Sequence, residues 1–168
     1  MNLIVCVDEK WGIGKNNGLL FSLPRDMRFF RERTLGKTVV MGYNTLLSFP
    51  ESKPLKGRKN VVLAPENVFR DDCVVCHTLE ETFREIKKED DENVFIIGGA
   101  MFYRTMYPYC RKAFVTRVFT DGGATVFFDD LDKLPNWRRR SLGEPFEDNG
   151  LTLEFCLYEN DSPLDFPL

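Results

Sequence analysis

A chain of 168 residues, 43% hydrophobic and 29% charged, has the size and balance of one globular domain, and no apolar run reaches the roughly 20 residues needed to cross a bilayer, which argues against a membrane role. A net charge of −3 and a pI near 5.3 argue against a nucleic-acid partner; the one basic cluster, Arg138-Arg139-Arg140, reads as a solvated strand end. Five scattered cysteines, at 6, 73, 76, 110 and 156, and an N-terminus without a basic leader predict free thiols and a cytoplasmic, monomeric, metal-free protein.

In chain order, an apolar strand at residues 3 to 7 precedes a Gly-rich loop from Trp11 to Gly18 with room to move. Ser22-Leu23-Pro24 opens a helix that Gly36 closes, with Met27, Phe30 and Leu35 among its apolar positions and Asp26 in its first turn. A strand at 38 to 41 runs into Gly42 and a short helix to about Ser48, and another at 60 to 64 follows the turn Pro54-Leu55-Lys56-Gly57. Residues 73 to 76 form a short strand, and Thr78 with Glu81 makes a capping box for an amphipathic helix to about Glu89. The strand from Val94 to Ile97 reaches Gly98-Gly99, after which a helix from about Ala100 to Tyr107 stops at Pro108. Strands follow near 112 to 118, 137 to 142 and 151 to 158. Such alternation, then a run of strands, predicts an α/β fold: a mixed, mostly parallel central sheet flanked by helices, with antiparallel C-terminal strands.

In open α/β sheets, ligands bind beyond the carboxyl ends of the strands, where helix N-termini offer free N–H groups to anions. Gly42-Tyr43-Asn44-Thr45 and Gly98-Gly99-Ala100 each link an apolar strand to a helix, so a pyrophosphate could lie between them. Neither is a G-x-G-x-x-G or a P-loop, which counts against an ordinary Rossmann domain or an NTPase. Asp26 is a carboxylate among Leu23, Met27 and Phe30. An acid in a first helical turn is often there for the helix dipole alone, whereas a ligand with two parallel N–H donors, such as a pterin, would pair with it bidentately.

Trp11-Gly12-Ile13-Gly14, Leu23-Pro24-Arg25-Asp26, Val40-Met41-Gly42, Gly57-Arg58-Lys59-Asn60 and Ile96-Ile97-Gly98-Gly99, in this order and spacing, resemble the dihydrofolate reductase pattern over nearly the whole chain. The resemblance implies reduction of dihydrofolate to tetrahydrofolate with a nicotinamide cofactor, Asp26 anchoring the pterin and favouring protonation at N5. By the same resemblance Ile4, Val5 and Cys6 would form the pterin floor, and Leu19, Phe30, Phe49 and Leu55 would pack on the pterin and aminobenzoyl rings. Ile97 and Tyr103 would lie near the nicotinamide, Arg58 would hold the glutamate carboxylate, and Thr116 would support Asp26. The cofactor would be held by Cys6, Ile13, Gly14, Gly42, Tyr43, Asn44, Thr45, Leu63, Ala64, Pro65 and His77, and by the run Ile97, Gly98, Gly99, Ala100, Met101, Phe102 and Tyr103.

The chain also departs from that pattern. Leu20-Phe21 stands where Pro-Trp is usual, and phenylalanine has no indole N–H to hold a water near the pterin. Gly123-Ala124 lacks an acid found in some members, for which Asp121 is a candidate substitute. Tyr43, Ala64-Pro65-Glu66 and Met101 replace basic and hydroxyl residues that usually read the 2′-phosphate of NADPH, leaving His77 and Lys59 as candidate partners. The cofactor expected is therefore NADPH, with NADH as the alternative. Two rival readings are a pyrimidinone reductase of riboflavin synthesis, similar in architecture, and a haem protein built on Cys73-Val74-Val75-Cys76-His77. The second is disfavoured because residues 73 and 76 of a strand point to opposite faces.

Overall fold

The computed structural model describes residues 1–168. Its strands are β1 (Asn2–Val7), β2 (Gly12–Gly14), β3 (Thr38–Gly42), β4 (Lys59–Leu63), β5 (Val74–Cys76), β6 (Val94–Gly98), β7 (Lys112–Val118), β8 (Val126–Phe127), β9 (Trp137–Ser141), β10 (Phe146–Asp148) and β11 (Leu151–Asn160). The helices are α1 (Pro24–Thr34), α2 (Tyr43–Ser48), α3 (Leu79–Ile86) and α4 (Ala100–Met106). The main sheet has the order β10-β11-β7-β1-β6-β3-β4-β5, with β9 also paired to β11. Pairing is parallel from β7 through β1 to β5 and antiparallel where β11 meets β7, β9 and β10. This is the mixed, mostly parallel α/β sheet that the alternation predicts.

An unbroken apolar run suits β1 because both of its faces are covered. Leu3, Val5 and Val7 join the larger core with Phe83 and Ile86 of α3 and Phe102 and Met106 of α4. Ile4, one residue out of phase, joins Phe29 of α1 and Leu46 of α2 on the other face. Each aliphatic side chain so covered contributes about 1.5–3 kcal/mol relative to exposure.

Several local expectations are corrected. The Trp11–Gly18 segment is tied down, since β2 pairs with β8 in a separate two-stranded ribbon and Lys15 bridges Gly18. Helix α1 opens at Pro24 as expected, with Leu23 as its N-cap, and no side chain of its own segment caps it. Asp148 of β10 supplies that function, accepting the Arg25 amide at 2.8 Å. The buried face of α1 is Phe29 and Thr34, while Met27 and Leu35 are 61% and 47% exposed. Apolar residues that border an open cleft and those that enter a core share one helical period, so sequence alone does not separate them.

The capping box is half formed. Thr78 Oγ1 accepts the Glu81 amide at 3.1 Å, but Glu81 accepts the amide of His77 rather than that of Thr78. Arg138, Arg139 and Arg140 each meet a carboxylate, of Asp161, Asp132 and Glu159 respectively, as suits a solvated edge strand. All five cysteines are free. Cys76 enters the larger core and Cys73 packs against the smaller one, so the two thiols face opposite sides of the sheet. No helix is long and apolar enough to cross a membrane.

Candidate active site

Cys6 and Thr116 are register partners across the β1–β7 pair, and the first turn of α1 sets Asp26 over them. The Thr116 hydroxyl donates to Asp26 Oδ1 at 2.6 Å. Burial raises the Asp26 carboxyl above the usual carboxylate range, while hydrogen bonds from Thr116 and Cys6 pull it back, and nearby Asp148 raises it further. No cation counts among the groups shifting it, so this is a desolvated carboxylate without an ionic partner of its own. Burial and then the Asp26 charge push the Cys6 thiol well above its ordinary value, so it stays a neutral donor.

On the α1 side of the sheet, which carries Asp26, the side chains of the smaller core form an apolar wall. Phe30, Phe49, Leu55 and Ile97 are partly buried against the smaller core, and Ile4 belongs to that core. Leu19 is 83% exposed at the end of the ribbon loop. Of the three β1 residues expected at one floor, strand alternation keeps Ile4 and Cys6 together and turns the Val5 side chain into the opposite core. The expected place of the Val5 side chain in that floor is thereby corrected. The buried Tyr103 hydroxyl donates to the Ile4 carbonyl at 2.7 Å, linking α4 to this part of β1.

A cleft of about 480 Å³ opens next to this wall, lined by Arg31, Leu35, Lys56, Gly57 and Arg58. Arg58 donates through Nε to the Lys56 carbonyl at 2.9 Å and through Nη1 to Thr34 Oγ1 at 3.2 Å. Burial, and then the Arg31 charge, lower its proton affinity. Partial burial beside a like charge, with no carboxylate in reach, is a setting that an incoming anion would relieve.

At the carboxyl ends of β3 and β6, Gly42 lies beside the Gly98 carbonyl, and Gly98-Gly99 face Thr45. A Cβ built on Gly98 would lie 3.2 Å from Thr45 Oγ1, and Gly98 has φ +136°, so only glycine suits this position. Tyr43, Asn44 and Thr45 begin α2, and Ala100, Met101 and Phe102 begin α4, so both helices start at one crevice. The arrangement fits a pyrophosphate, with backbone N–H groups and the Thr45 hydroxyl as donors. Phe102 is buried and Met101 is 81% exposed, which leaves Phe102 its backbone for any contact there. Leu63 ends β4, Ala64 and Pro65 follow it, and Ile13 and Gly14 lie half-buried on β2.

Lys59, expected as a possible phosphate partner, is corrected. It starts β4, at the strand end away from the crevice, and is ion-paired to Glu89 at 2.8 Å and Glu85 at 3.6 Å. Arg70, in the loop after β4, is held by Asp72 and by the Ser52 carbonyl. His77 remains, with Nδ1 3.0 Å from the Pro65 carbonyl. That contact requires a proton on Nδ1, so the neutral ring presents Nε2 only as an acceptor, and the ring donates to an anion only as the cation.

Two residues of this region are invisible to motif reading. Asp148, which caps α1, acts from 123 positions away, and a lone aspartate in a terminal strand carries no signal of it. Asp8, expected nowhere, is 3% exposed and accepts three backbone N–H groups. Its single sequence signal is a carboxylate closing an otherwise apolar strand.

Comparison with known proteins agrees with this geometry. Residues 1–160 match the family model described as dihydrofolate reductase. The chain is 31% identical to the dihydrofolate reductase of Bacillus subtilis (strain 168) over 95% of its own length and 94% of that protein. With the dihydrofolate reductase of Schistosoma mansoni the identity is 33%, over 95% of each chain. With the dihydrofolate reductase type 9 of Escherichia coli it is 28%, over 98% of this chain and 95% of the other. These matches favour neither the pyrimidinone reductase nor the haem reading, and the chain belongs to the dihydrofolate reductase family.

Proposed function

We propose that this chain reduces 7,8-dihydrofolate to 5,6,7,8-tetrahydrofolate, as a single-domain, monomeric, cytoplasmic enzyme that uses NADPH and discriminates only weakly against NADH. The observation that carries the reading is the desolvated Asp26 carboxylate, supported by Thr116 and without a protein cation to pair with. A pterin presents two adjacent N–H donors that would replace the missing partner. Gly42, Thr45, Gly98 and Gly99 would hold a nicotinamide cofactor at their crevice, and that group would supply a hydride for the pterin. Asp26 fixes the ring and, through its charge, favours the proton that arrives at N5. Ile4, Phe30, Phe49, Leu55 and Ile97 keep water from the ring faces, which strengthens the carboxylate contact. Phe21 offers no donor to an ordered water, so the route of that proton does not pass through its side chain.

Arg58 is the proposed partner of the glutamate carboxylate. Arg58→Leu is expected to weaken dihydrofolate about ten- to a hundredfold, the equivalent of roughly 1.5–3 kcal/mol for a shielded charged contact. A pteridine substrate lacking the glutamate should be indifferent. Steady-state kinetics with both substrates check this, and equal losses would make Arg58 structural.

The cofactor preference rests on what surrounds the crevice. Lys59 lies at the N-terminal end of β4 and Arg70 is already paired, so a 2′-phosphate is left with His77 as its candidate partner. Glu66, exposed beside Pro65, suits an unphosphorylated ribose hydroxyl. We expect kcat/KM for NADPH to exceed that for NADH by less than about a hundredfold, or nearly 3 kcal/mol. Turnover of dihydrofolate with each cofactor at one pH and salt concentration tests both the activity and this margin. A larger preference would place the phosphate on groups other than these.

A further inference from the structure

The ribbon loop between β1 and α1 is held from one point. Asp8, the residue after β1, accepts the amides of Lys10 at 2.9 Å and Gly12 at 2.7 Å on Oδ1, both from its own loop. On Oδ2 it accepts the amide of Gly122 at 3.0 Å, from the segment between β7 and β8. The carboxylate is 3% exposed and enters no ion pair in the structure, so these three bonds are its whole compensation for leaving water.

The two segments are fitted to each other along their length. The Glu9 amide donates to the Thr120 carbonyl, Thr125 to Gly14 and Phe128 to Trp11. A Cβ on Gly12 would stand 2.3 Å from Ala124 Cβ and 2.9 Å from both Asp8 oxygens, so the approach is as close as glycine permits. A Cβ on Gly122 would meet the Phe21 ring at 2.9 Å and Leu20 at 3.1 Å, so the segment that Asp8 holds is also the backing of residues 20 and 21. Lys10 and Asp121 add an exposed ion pair at 2.9 Å, worth little beside the buried contacts. Asp121 thus joins the segments only through the exposed Lys10 side chain; the carboxylate that bonds backbone amides of both is Asp8.

We propose that Asp8 is a positioning residue for the reaction, a buried clamp that sets the ribbon loop and the Leu20-Phe21 pair against the pocket by bonding backbone amides of both segments. This rests on the reading that dihydrofolate and the nicotinamide meet under that loop. Asp8 touches neither; it acts through the loop.

Asp8→Asn tests the proposal. The amide oxygen can still accept from Lys10 and Gly12, while its NH2 group faces the Gly122 amide and breaks that one tie. Hydrogen exchange of the Gly122 and Thr125 amides is expected to speed up about tenfold or more, with the β1, β6 and β7 amides unchanged. Single-turnover hydride transfer should slow about tenfold, with dihydrofolate Kd altered less than about twofold. Unchanged hydride transfer despite faster exchange would overturn the positioning role, and unchanged exchange would overturn the clamp itself. The exchange measurement needs no turnover, so failure of the clamp is distinguishable from failure of the proposed activity. Should Asp8→Asn not fold, Gly122→Ala keeps the carboxylate and crowds Phe21 and Leu20. It should show the same loss of transfer rate at near-constant Kd, and an unaltered rate would overturn the proposal.

Discussion

Asp26→Asn is expected to lower kcat/KM for dihydrofolate at pH 7 by about two to three orders of magnitude while leaving the protein at least as heat-stable as its parent. The size of the loss follows from two charge-assisted hydrogen bonds to the pterin edge, each contributing about 1.5–3 kcal/mol and not fully additive. Thr116 can still donate to the asparagine oxygen, so the local geometry survives. The stability expectation comes from linkage. The folded-state pKa of Asp26 is raised, chiefly by burial, so its ionised form is less at ease in the fold than in the unfolded chain. That penalty is felt above the folded pKa, shrinks as pH falls through it, and vanishes below the unfolded value, where both states hold the proton. The neutral amide escapes it, so any gain in Tm should appear at neutral pH and fade in acid. Activity should move the other way, with partial rescue at low pH because the substrate can arrive already protonated. Thermal melts and kcat/KM across pH check both, and near-parental turnover at pH 7 would remove Asp26 from the mechanism.

Diaminopyrimidine antifolates are expected to bind tightly and to lose about two to three orders of magnitude in affinity in Asp26→Asn. Their protonated 2,4-diamino edge offers the carboxylate two donors and a positive charge, completing an ion pair in a site with no cation of its own. Breaking a buried pair by removing one partner costs about 3–5 kcal/mol, since the other charge stays uncompensated. Here the ligand can release its proton to escape that cost, so the loss should be greatest at low pH. Calorimetric titration at two pH values measures it. An affinity unmoved by the substitution would place the inhibitor away from Asp26.

How much of this was legible in the residues depends on the range of each signal. The continuous apolar runs Leu3–Val7, Val39–Met41 and Val61–Leu63 mark strands covered on both faces, and the structure buries them so. The pairing of Gly42 with Gly98-Gly99 at one crevice was readable because both follow such runs. The β2–β8 ribbon was not, since strands of three and two residues have too few alternations to register as a period. Side-chain direction was also beyond reach in places. Val5 turns away from Cys6 although both sit in one apolar run, and Phe29 rather than Phe30 enters the core of α1. Lys59 looked available for a phosphate because nothing local shows that Glu85 and Glu89 lie across from it. Asp148 caps α1 from 123 positions away, and the tie of Asp8 to Gly122 spans 114, distances that no motif reaches.

The most direct measurement follows the hydride itself. Dihydrofolate should be incubated with the wild-type enzyme and NADPH carrying deuterium at both C4 positions, and the product examined by mass spectrometry and NMR. Tetrahydrofolate carrying one deuterium at C6, formed far more slowly by Asp26→Asn at pH 7, is the predicted result. Dihydrofolate left unreduced, or reduced equally fast by the variant, would contradict the assignment of this pocket.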